Sequence, residues 1–243
     1  DEMAQLARES GIEVSLSARP HAAWQTSAMA RSSAGSIAGP TAHGQDQLVY
    51  QLQDVRRAAA HGFRSVLITD IGTLLAFGLM RAAGLIPPDM EAKISVLLPL
   101  ANPCAVRVAV DLGANTINLP TDLSLAEIAA IRATVDVPLD VYVESPDELG
   151  GFIRFHEVPE LIRVAAPVYL KFGLRNAPGI YPAGGQIAAT ALLMTRERVR
   201  RAQLVSELIA REYPAASTSK AGGAKGLALV QVGASEWWVR DER

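Results

Sequence analysis

Short runs rich in apolar residues alternate along the chain with longer segments in which apolar residues recur every three or four positions. The short runs predict buried strands, and the periodic segments predict helices with one apolar face. The predicted strands cover residues 12–18, 63–70, 93–98, 115–119, 139–144 and 168–172. The predicted helices cover residues 2–9, 45–61, 74–83, 103–112, 125–134, 159–165 and 196–212.

The regular alternation of strands and helices predicts a parallel sheet covered by helices. From the second strand onward, strands begin about every 22–30 residues, close to one-eighth of a (β/α)8 barrel of ~250 residues. We therefore expect an α/β fold of the TIM-barrel type, in which the first strands are missing or lie upstream of Asp1. A doubly wound open sheet is the alternative, although no strand is followed by the glycine-rich turn G-x-G-x-x-G.

Composition distinguishes two parts of the chain. Residues 1–214 carry the strand and helix pattern and are predicted to form the barrel domain. The remaining residues, 215–243, begin with a stretch rich in Ala, Ser, Thr, Gly and Lys, which is typical of a flexible linker. Trp237 and Trp238 follow in a C-terminal tail, which we expect to pack on the body of the protein or on a partner chain.

The composition also excludes several classes of protein. A formal net charge of -2 argues against a protein that coats nucleic acid or an anionic membrane surface. A single cysteine, Cys104, excludes a disulfide framework, a cysteine-ligated zinc site and a four-cysteine iron–sulfur cluster within this chain. No apolar run reaches the ~18 residues of a membrane-spanning helix. We expect a cytoplasmic protein with no nucleic-acid or membrane partner, whereas self-association into a homo-oligomer stays open.

Charged side chains recur where the predicted strands end. In parallel barrels the active site lies at the carboxyl ends of the strands. This rule selects Asp70, Asp122, Glu144 and Lys171 as candidate catalytic residues, with carboxylates for acid–base chemistry and a lysine that faces the barrel interior. We expect all four to line one cavity and Lys171 to pair with Glu144. Asp70 and Asp122 have an alternative explanation as supports for the helices that follow them.

The same edge of the sheet supplies candidate substrate-binding residues. Arg175 is suited to hold a carboxylate or phosphate group through two hydrogen bonds. Residues 20–41 form a long segment without periodicity, which we expect to fold over the site as a lid, with a surface insertion as the alternative. No histidine-based metal motif is present, and the carboxylates leave a divalent cation open as a cofactor. The substrate-binding candidates are Arg19, His21, Trp24, Gln25, His43, Asn118, Arg175 and Asn176.

The order of segments in residues 93–144 resembles the collagenase-like peptidase family, peptidase family U-32, and the similarity runs from residue 1 to about 176. The resemblance rests on short motifs at strand ends and helix starts, which follow one another in the order of the family pattern. These are Asp70 with Gly72, Ile94 to Leu98, Asp111-Leu112-Gly113-Ala114, Asp122-Leu123-Ser124, Leu125-Ala126-Glu127-Ile128, Val141-Tyr142-Val143, and Lys171 with Arg175.

The resemblance implies a barrel whose first two strands lie upstream of Asp1, and the family name implies a hydrolase. This chain lacks the family's cysteines, and Glu144 and Gly173 stand where the family pattern has histidine-glycine and glutamate. The chain is therefore a divergent member, to which the cysteine-dependent activities are not carried over. We expect a hydrolase or lyase that acts on a small anionic or peptide-like substrate through rim carboxylates and Lys/Arg side chains. The alternative is a non-catalytic barrel that serves as a binding or regulatory partner subunit.

Overall fold

Helices and strands alternate throughout the part of the chain that the structure describes. The computed structural model describes residues 2–18, 40–180 and 184–219. The helices in these residues are α1 (Glu2–Ser10), α2 (Gly44–Ala60), α3 (Ile71–Ala82), α4 (Pro103–Asp111), α5 (Leu125–Arg132), α6 (Val158–Ala165) and α7 (Ala188–Glu212). The strands are β1 (Ser15–Ala18), β2 (Ser65–Ile68), β3 (Glu91–Ile94), β4 (Thr116–Asn118), β5 (Leu139–Glu144) and β6 (Val168–Phe172).

The six strands form one parallel sheet in the order of the chain, β1-β2-β3-β4-β5-β6. A helix lies between each strand and the next, which is the connection that parallel strands require. The parallel α/β arrangement that the sequence predicts is therefore confirmed. A closed (β/α)8 barrel needs eight strands, and the described residues supply six.

The described residues divide into two compact units. The first unit contains the described residues up to Leu100, together with Cys104–Asn118 and Ser219. It holds strands β1–β4 and helices α1–α4. The second unit contains Ala101–Pro103 and Leu119–Thr218, and it holds strands β5 and β6 and helices α5–α7.

Alternate side chains build the core of the first unit. Val66 and Ile68 in β2 are completely buried, and so are Ala92 and Ile94 in β3. Each branched side chain that is buried in this way contributes roughly 1.5–3 kcal/mol. Because side chains alternate across a sheet, the intervening positions of these strands lie on the opposite face. That face carries Ser65 and Leu67 of β2 and Glu91 and Lys93 of β3.

The core of the second unit joins β5 and β6 to helices α6 and α7. Val143 of β5, Val158 of α6 and Val205 of α7 are buried in one apolar cluster. Leu170 and Phe172 of β6 pack against that cluster. These alternate positions of β6 therefore face the helices, and Lys171 between them lies on the other face of the sheet.

Element boundaries differ from the sequence prediction at β3 and at α7. Residues 95–98 were predicted to extend β3, but the strand ends at Ile94. The Leu97 N–H donates to the Ser95 hydroxyl and the Leu98 N–H to the Ser95 carbonyl, so a local turn replaces the ladder. Helix α7 begins at Ala188, eight residues before the predicted start, because an alanine- and leucine-rich stretch favours helix.

Helix α5 begins as the sequence predicts. The Ser124 hydroxyl accepts a hydrogen bond from the Glu127 N–H, and the Glu127 carboxylate accepts one from the Ser124 N–H. This reciprocal capping box satisfies two backbone donors that the first turn leaves without helical partners. Hydrogen bonds from Ser124 lower the pKa of the Glu127 carboxyl group below its ordinary value.

Helix length and hydropathy bear on membrane insertion. Among the helices of the described residues, none combines the length and the apolar character that a bilayer crossing requires.

Candidate functional site

A buried carboxylate lies at the carboxyl end of β5. Glu144 is 1% exposed. Its Oε1 accepts a hydrogen bond of 3.0 Å from the Arg175 N–H, and its Oε2 accepts one of 2.8 Å from Nη1 of Arg201 on α7. A buried charge is stable only when it is paired and hydrogen-bonded, and both oxygens of Glu144 meet that condition.

The chain turns sharply beside Glu144 as it leaves β6. The Gly173 N–H donates to the Glu144 carbonyl at 2.7 Å, and Asn176 has a positive φ of 51°. The Asn176 N–H donates to Oδ2 of Asp147 at 2.7 Å, and Nε of Arg175 lies 3.5 Å from Oδ1 of the same carboxylate. The structure therefore brings the predicted residues Arg175 and Asn176 next to Glu144, through backbone contacts that Asp147 reinforces.

Lys171 lies on β6 opposite Tyr142 of β5. Its Nζ is 4.4 Å from the centroid of the Tyr142 ring, within the range of a cation–π interaction. The sequence predicted Lys171 as the ion-pair partner of Glu144, whereas the structure gives that carboxylate to Arg201. Helix α7 brings the Arg201 guanidinium to the carboxyl end of β5, where it contacts Glu144. The prediction had assigned this positive charge to Lys171 of the neighbouring strand β6.

Arg201 belongs to a wider network of charges. Its Nε donates to Oε1 of Glu197 at 2.7 Å, one turn earlier on α7, and Arg200 donates to both oxygens of Glu197. Hydrogen bonds from Arg200 and Arg201 lower the pKa of Glu197 to about 2. Glu197 therefore remains an anion near neutral pH and helps to hold Arg201 in place.

Asp122 and Asp70 have different surroundings from Glu144. Asp122 is exposed, two residues before the capping residue Ser124. Asp70, in the first unit, is 7% exposed and is the N-cap of α3. Its Oδ1 accepts from the Thr73 N–H at 2.8 Å, and its Oδ2 accepts from the Ala42 N–H at 3.2 Å. Both oxygens of Asp70 thus serve the backbone, as the capping explanation requires.

Two predicted binding residues of the first unit also have defined places. Asn118 at the end of β4 is completely buried, and its Nδ2 donates to the Ile94 carbonyl at 2.6 Å. This contact ties the carboxyl ends of β3 and β4 together. His43 is exposed at the start of α2, where its N–H donates to Oε1 of Gln47 at 2.7 Å.

Four predicted binding residues lie outside the described residues: Arg19, His21, Trp24 and Gln25. Both described ends of their segment lie at carboxyl ends of strands. Ala18 is the last residue of β1, and the Pro40 carbonyl accepts from the Thr69 hydroxyl just after β2. The expectation of a lid over residues 20–41 stays a prediction, and so does the expectation that Asp70, Asp122, Glu144 and Lys171 share a cavity.

A second charged cluster lies in the first unit, where β3 begins. Nζ of Lys93 is 3.6 Å from Oε1 of Glu13, and both side chains are largely buried. Burial, together with the negative charges of Glu13 and Asp89, raises the pKa of Glu91 to about 7 against the lowering effect of Lys93 and Arg81. Glu91 therefore titrates near neutral pH.

The carboxylates do not assemble into a metal centre within the described ranges. No group of three or more His, Cys, Asp or Glu side chains in residues 2–18, 40–180 and 184–219 is arranged to hold a metal ion. The divalent cation that the sequence leaves open therefore has no ligand set in these residues.

Two residues of the Glu144 site were not selected from the sequence. Arg201 is 57 residues from Glu144 along the chain, and it is one of five arginines in α7. No sequence pattern near Arg201 distinguishes it from the other arginines of α7, because its role depends on where α7 packs. Asp147 was a better candidate, since it follows the same strand end as Glu144, and the strand-end rule extended by three residues selects it.

Comparisons with known proteins bear on the family. Residues 41–145 match the model of peptidase family U32, which confirms the resemblance that the sequence indicated. No curated protein gives a significant match. Among solved structures, the chain is similar to one described as the structure of the U32 peptidase Mk0906, with a TM-score of 0.40 and 15% identity. The similarity covers 77% of this chain and 65% of that chain, so this chain spans less than two thirds of that protein's length.

Proposed function

We propose that the chain, whose residues 41–145 match the model of peptidase family U32, is a hydrolase of that family that acts on a small anionic, peptide-like substrate. The observation that carries the proposal is the buried carboxylate of Glu144 at the end of β5, held by the Arg175 N–H and by Arg201. Burying a charge in this way costs free energy unless it is paired, so a buried ion pair at a strand end is a candidate functional group.

Positive charges around Glu144 suit an anionic substrate. The Arg175 guanidinium is half-exposed, and its planar donors match the geometry of a carboxylate. Lys171 lies beside the Tyr142 ring, which adds an aromatic wall to a cationic group. In the proposal, Arg175 and Lys171 hold the terminal carboxylate of a peptide-like molecule.

Glu144 is assigned the acid–base role after substrate binds. In the free protein each of its oxygens accepts one hydrogen bond, and the Arg201 guanidinium stabilises the charge that a base must give up to take a proton. A second carboxylate, on the side chain of an acidic peptide-like substrate, that takes over the Arg201 guanidinium would release Oε2 of Glu144. That oxygen would then accept a proton from the water that attacks the scissile bond, and return it to the leaving group.

A non-catalytic binding barrel is the second candidate. It is favoured because Glu144 is already hydrogen-bonded to Arg201, and because Asp70 serves as a helix cap. In this alternative the cations bind an anionic ligand, and Glu144 serves only to position Arg201.

We also propose that the parallel sheet is part of a (β/α)8 barrel. The strands follow one another in chain order, as barrel strands do. The face of β2 and β3 that alternates with the buried apolar positions carries Ser65, Glu91 and Lys93 beside Leu67, and this largely polar lining suits a barrel interior that contributes to a binding site.

Short acidic dipeptides test the two candidates. Binding is measured by calorimetry and cleavage by mass spectrometry, with Lys171→Met, Glu144→Gln and the control Arg163→Gln, at an exposed arginine of α6. The hydrolase proposal predicts cleavage by the wild type, loss of cleavage with retained binding in Glu144→Gln, and about tenfold weaker binding in Lys171→Met.

The outcomes separate the candidates. Binding without cleavage by the wild type supports the non-catalytic barrel and contradicts the hydrolase. Lack of binding, or equal binding by Lys171→Met and Arg163→Gln, contradicts both assignments of this site. The unfolding midpoint of each variant shows whether a loss of binding reflects a loss of fold.

A further inference from the structure

The side chain of Arg175 lies in a slot formed by Asp147 and Gly151, beside Glu144. Oδ1 of Asp147 is 3.5 Å from Nε of Arg175. A Cβ added at Gly151 would lie 3.0 Å from Nε and 3.5 Å from Cδ of Arg175, and 3.0 Å from Oδ1 of Asp147. The arginine therefore passes close over a position without a side chain, and any side chain there would force the arginine or the aspartate to shift.

The loop that carries the slot is closed by its own hydrogen bonds. Ser145 is completely buried, and its hydroxyl accepts a hydrogen bond of 2.7 Å from the Phe152 N–H. The Ser145 N–H donates to the Phe152 carbonyl at 2.9 Å, and the Gly151 N–H donates to the Pro146 carbonyl at 3.1 Å. Gly151 has a positive φ of 61°, which glycine adopts without steric cost. The slot is thus built before a ligand arrives, which reduces the entropy cost of binding.

The slot covers the Nε side of the guanidinium and leaves its end accessible. Within the described residues, no hydrogen bond or ion pair engages Nη1 or Nη2 of Arg175, whose side chain is 46% exposed. Two parallel N–H donors of a guanidinium match the two oxygens of a carboxylate. Because the charge of Asp147 offsets that of Arg175, the pair recognises an anion through these directed hydrogen bonds rather than through net charge.

We propose that Asp147 and Gly151 are positioning residues, which orient Arg175 so that its Nη nitrogens bind the terminal carboxylate of a peptide-like substrate. The inference rests on the proposed function, in which Arg175 contacts that carboxylate. It assigns a substrate with a free carboxyl terminus. A peptide that continued past this point would present an amide, which has one oxygen and no charge and so cannot accept the same pair of hydrogen bonds.

The test compares one dipeptide in two forms: alanyl-glutamate, and the same molecule with its terminal carboxylate converted to an amide. Calorimetry with the whole chain gives the ratio of the two affinities. This ratio reports recognition of the terminal carboxylate, and a general loss of stability affects both forms alike. We expect the wild type to prefer the acid by about tenfold or more, and Arg175→Gln to lose most of that preference.

Two matched pairs of variants isolate the slot. Gly151→Ala and Asp147→Ala are each expected to reduce the preference for the acid by about fivefold or more, because the guanidinium is no longer held in place. Gly150→Ala is the control for Gly151→Ala: its φ of 90° strains an alanine as well, but nothing lies within 4 Å of the added Cβ. Glu148→Ala is the control for Asp147→Ala, since it removes an exposed carboxylate from the next residue. Both controls should keep the preference of the wild type.

The outcomes separate this inference from the proposed function. If the wild type binds neither form, or binds both equally, the carboxylate site at Arg175 fails and the inference fails with it. If Arg175→Gln loses the preference while Gly151→Ala and Asp147→Ala keep it, the proposed function stands and the positioning role is overturned. Equal losses in Gly151→Ala and its control would also overturn that role. So would a stronger preference in Asp147→Ala, because Asp147 would then repel the ligand.

Discussion

A side chain at position 173 would collide with the segment that follows β5. An added Cβ would lie 2.6 Å from Cδ and 2.8 Å from N of Pro146, which are distances that a side chain cannot occupy. We predict that Gly173→Ala lowers the free energy of unfolding by about 1–3 kcal/mol, because the turn beside Glu144 must shift to admit the methyl group.

Gly179→Ala is the matched control for this change, since the nearest atom to its added Cβ is 3.8 Å away. Urea unfolding of both variants checks the prediction. Equal urea midpoints for Gly173→Ala and Gly179→Ala would show that the turn after β6 admits a methyl group without loss of stability.

The raised pKa of Glu91 predicts that the stability of the protein depends on pH. Its pKa of about 7 in the folded protein lies above the ordinary value of 4.5, since burial and the nearby Glu13 carboxylate oppose its negative charge. Folding therefore favours the protonated carboxyl group. The stability contributed by this group is complete below about pH 4.5 and is lost as pH rises toward 7.

We predict that Glu91→Gln changes stability little at pH 4.5 and raises the free energy of unfolding at pH 8. The gain is about 1 kcal/mol after allowance for solvent screening of a partly exposed group. Thermal unfolding at the two pH values measures it, with the exposed Glu148→Gln as control. A gain of the same size at both pH values would contradict the assignment to ionisation.

At the scale of elements, Asp70 joins a helix start to the end of a loop. Its carboxylate caps α3 through the Thr73 N–H and also accepts from the Ala42 N–H. We predict that Asp70→Ala lowers the free energy of unfolding by about 1–2 kcal/mol, the usual cost of a lost cap, whereas Asp70→Asn loses much less because asparagine also caps.

Denaturant unfolding measures both Asp70 variants, and cleavage of acidic dipeptides is followed in parallel. A stable Asp70→Asn variant without activity would assign Asp70 to chemistry in addition to capping. Retained activity would leave it a structural residue.

At the scale of the whole molecule, residues 20–41 follow the carboxyl end of β1 and precede helix α2. The sequence predicts a lid, because the segment is long, aperiodic and rich in polar side chains at the edge where barrels build their sites. We predict that an acidic dipeptide, added at saturating concentration, slows amide hydrogen exchange in residues 20–41. Rapid exchange that saturating dipeptide leaves unchanged would instead indicate a surface insertion.

The sequence by itself determined the features that depend on neighbouring residues. The βα alternation, the capping box at Ser124 and the end of β5 at Glu144 all follow from apolar periodicity and local hydrogen-bonding chemistry. The segment pattern also indicated peptidase family U32. The early end of β3 was not predicted, because a single serine hydroxyl turns the chain where the apolar run continues.

Only the tertiary structure decided which charges meet. Glu144 was selected as a strand-end carboxylate, but its partner Arg201 lies 57 residues away on α7. The packing of α7 through Val205 on β5 brings that guanidinium to Glu144, while Lys171 on the adjacent strand lies over Tyr142. Long-range contacts depend on how helices pack against the sheet, and this packing is fixed by the combined burial of many side chains. No residue pattern near Glu144 or Arg201 encodes their meeting, so the structure was needed to find it.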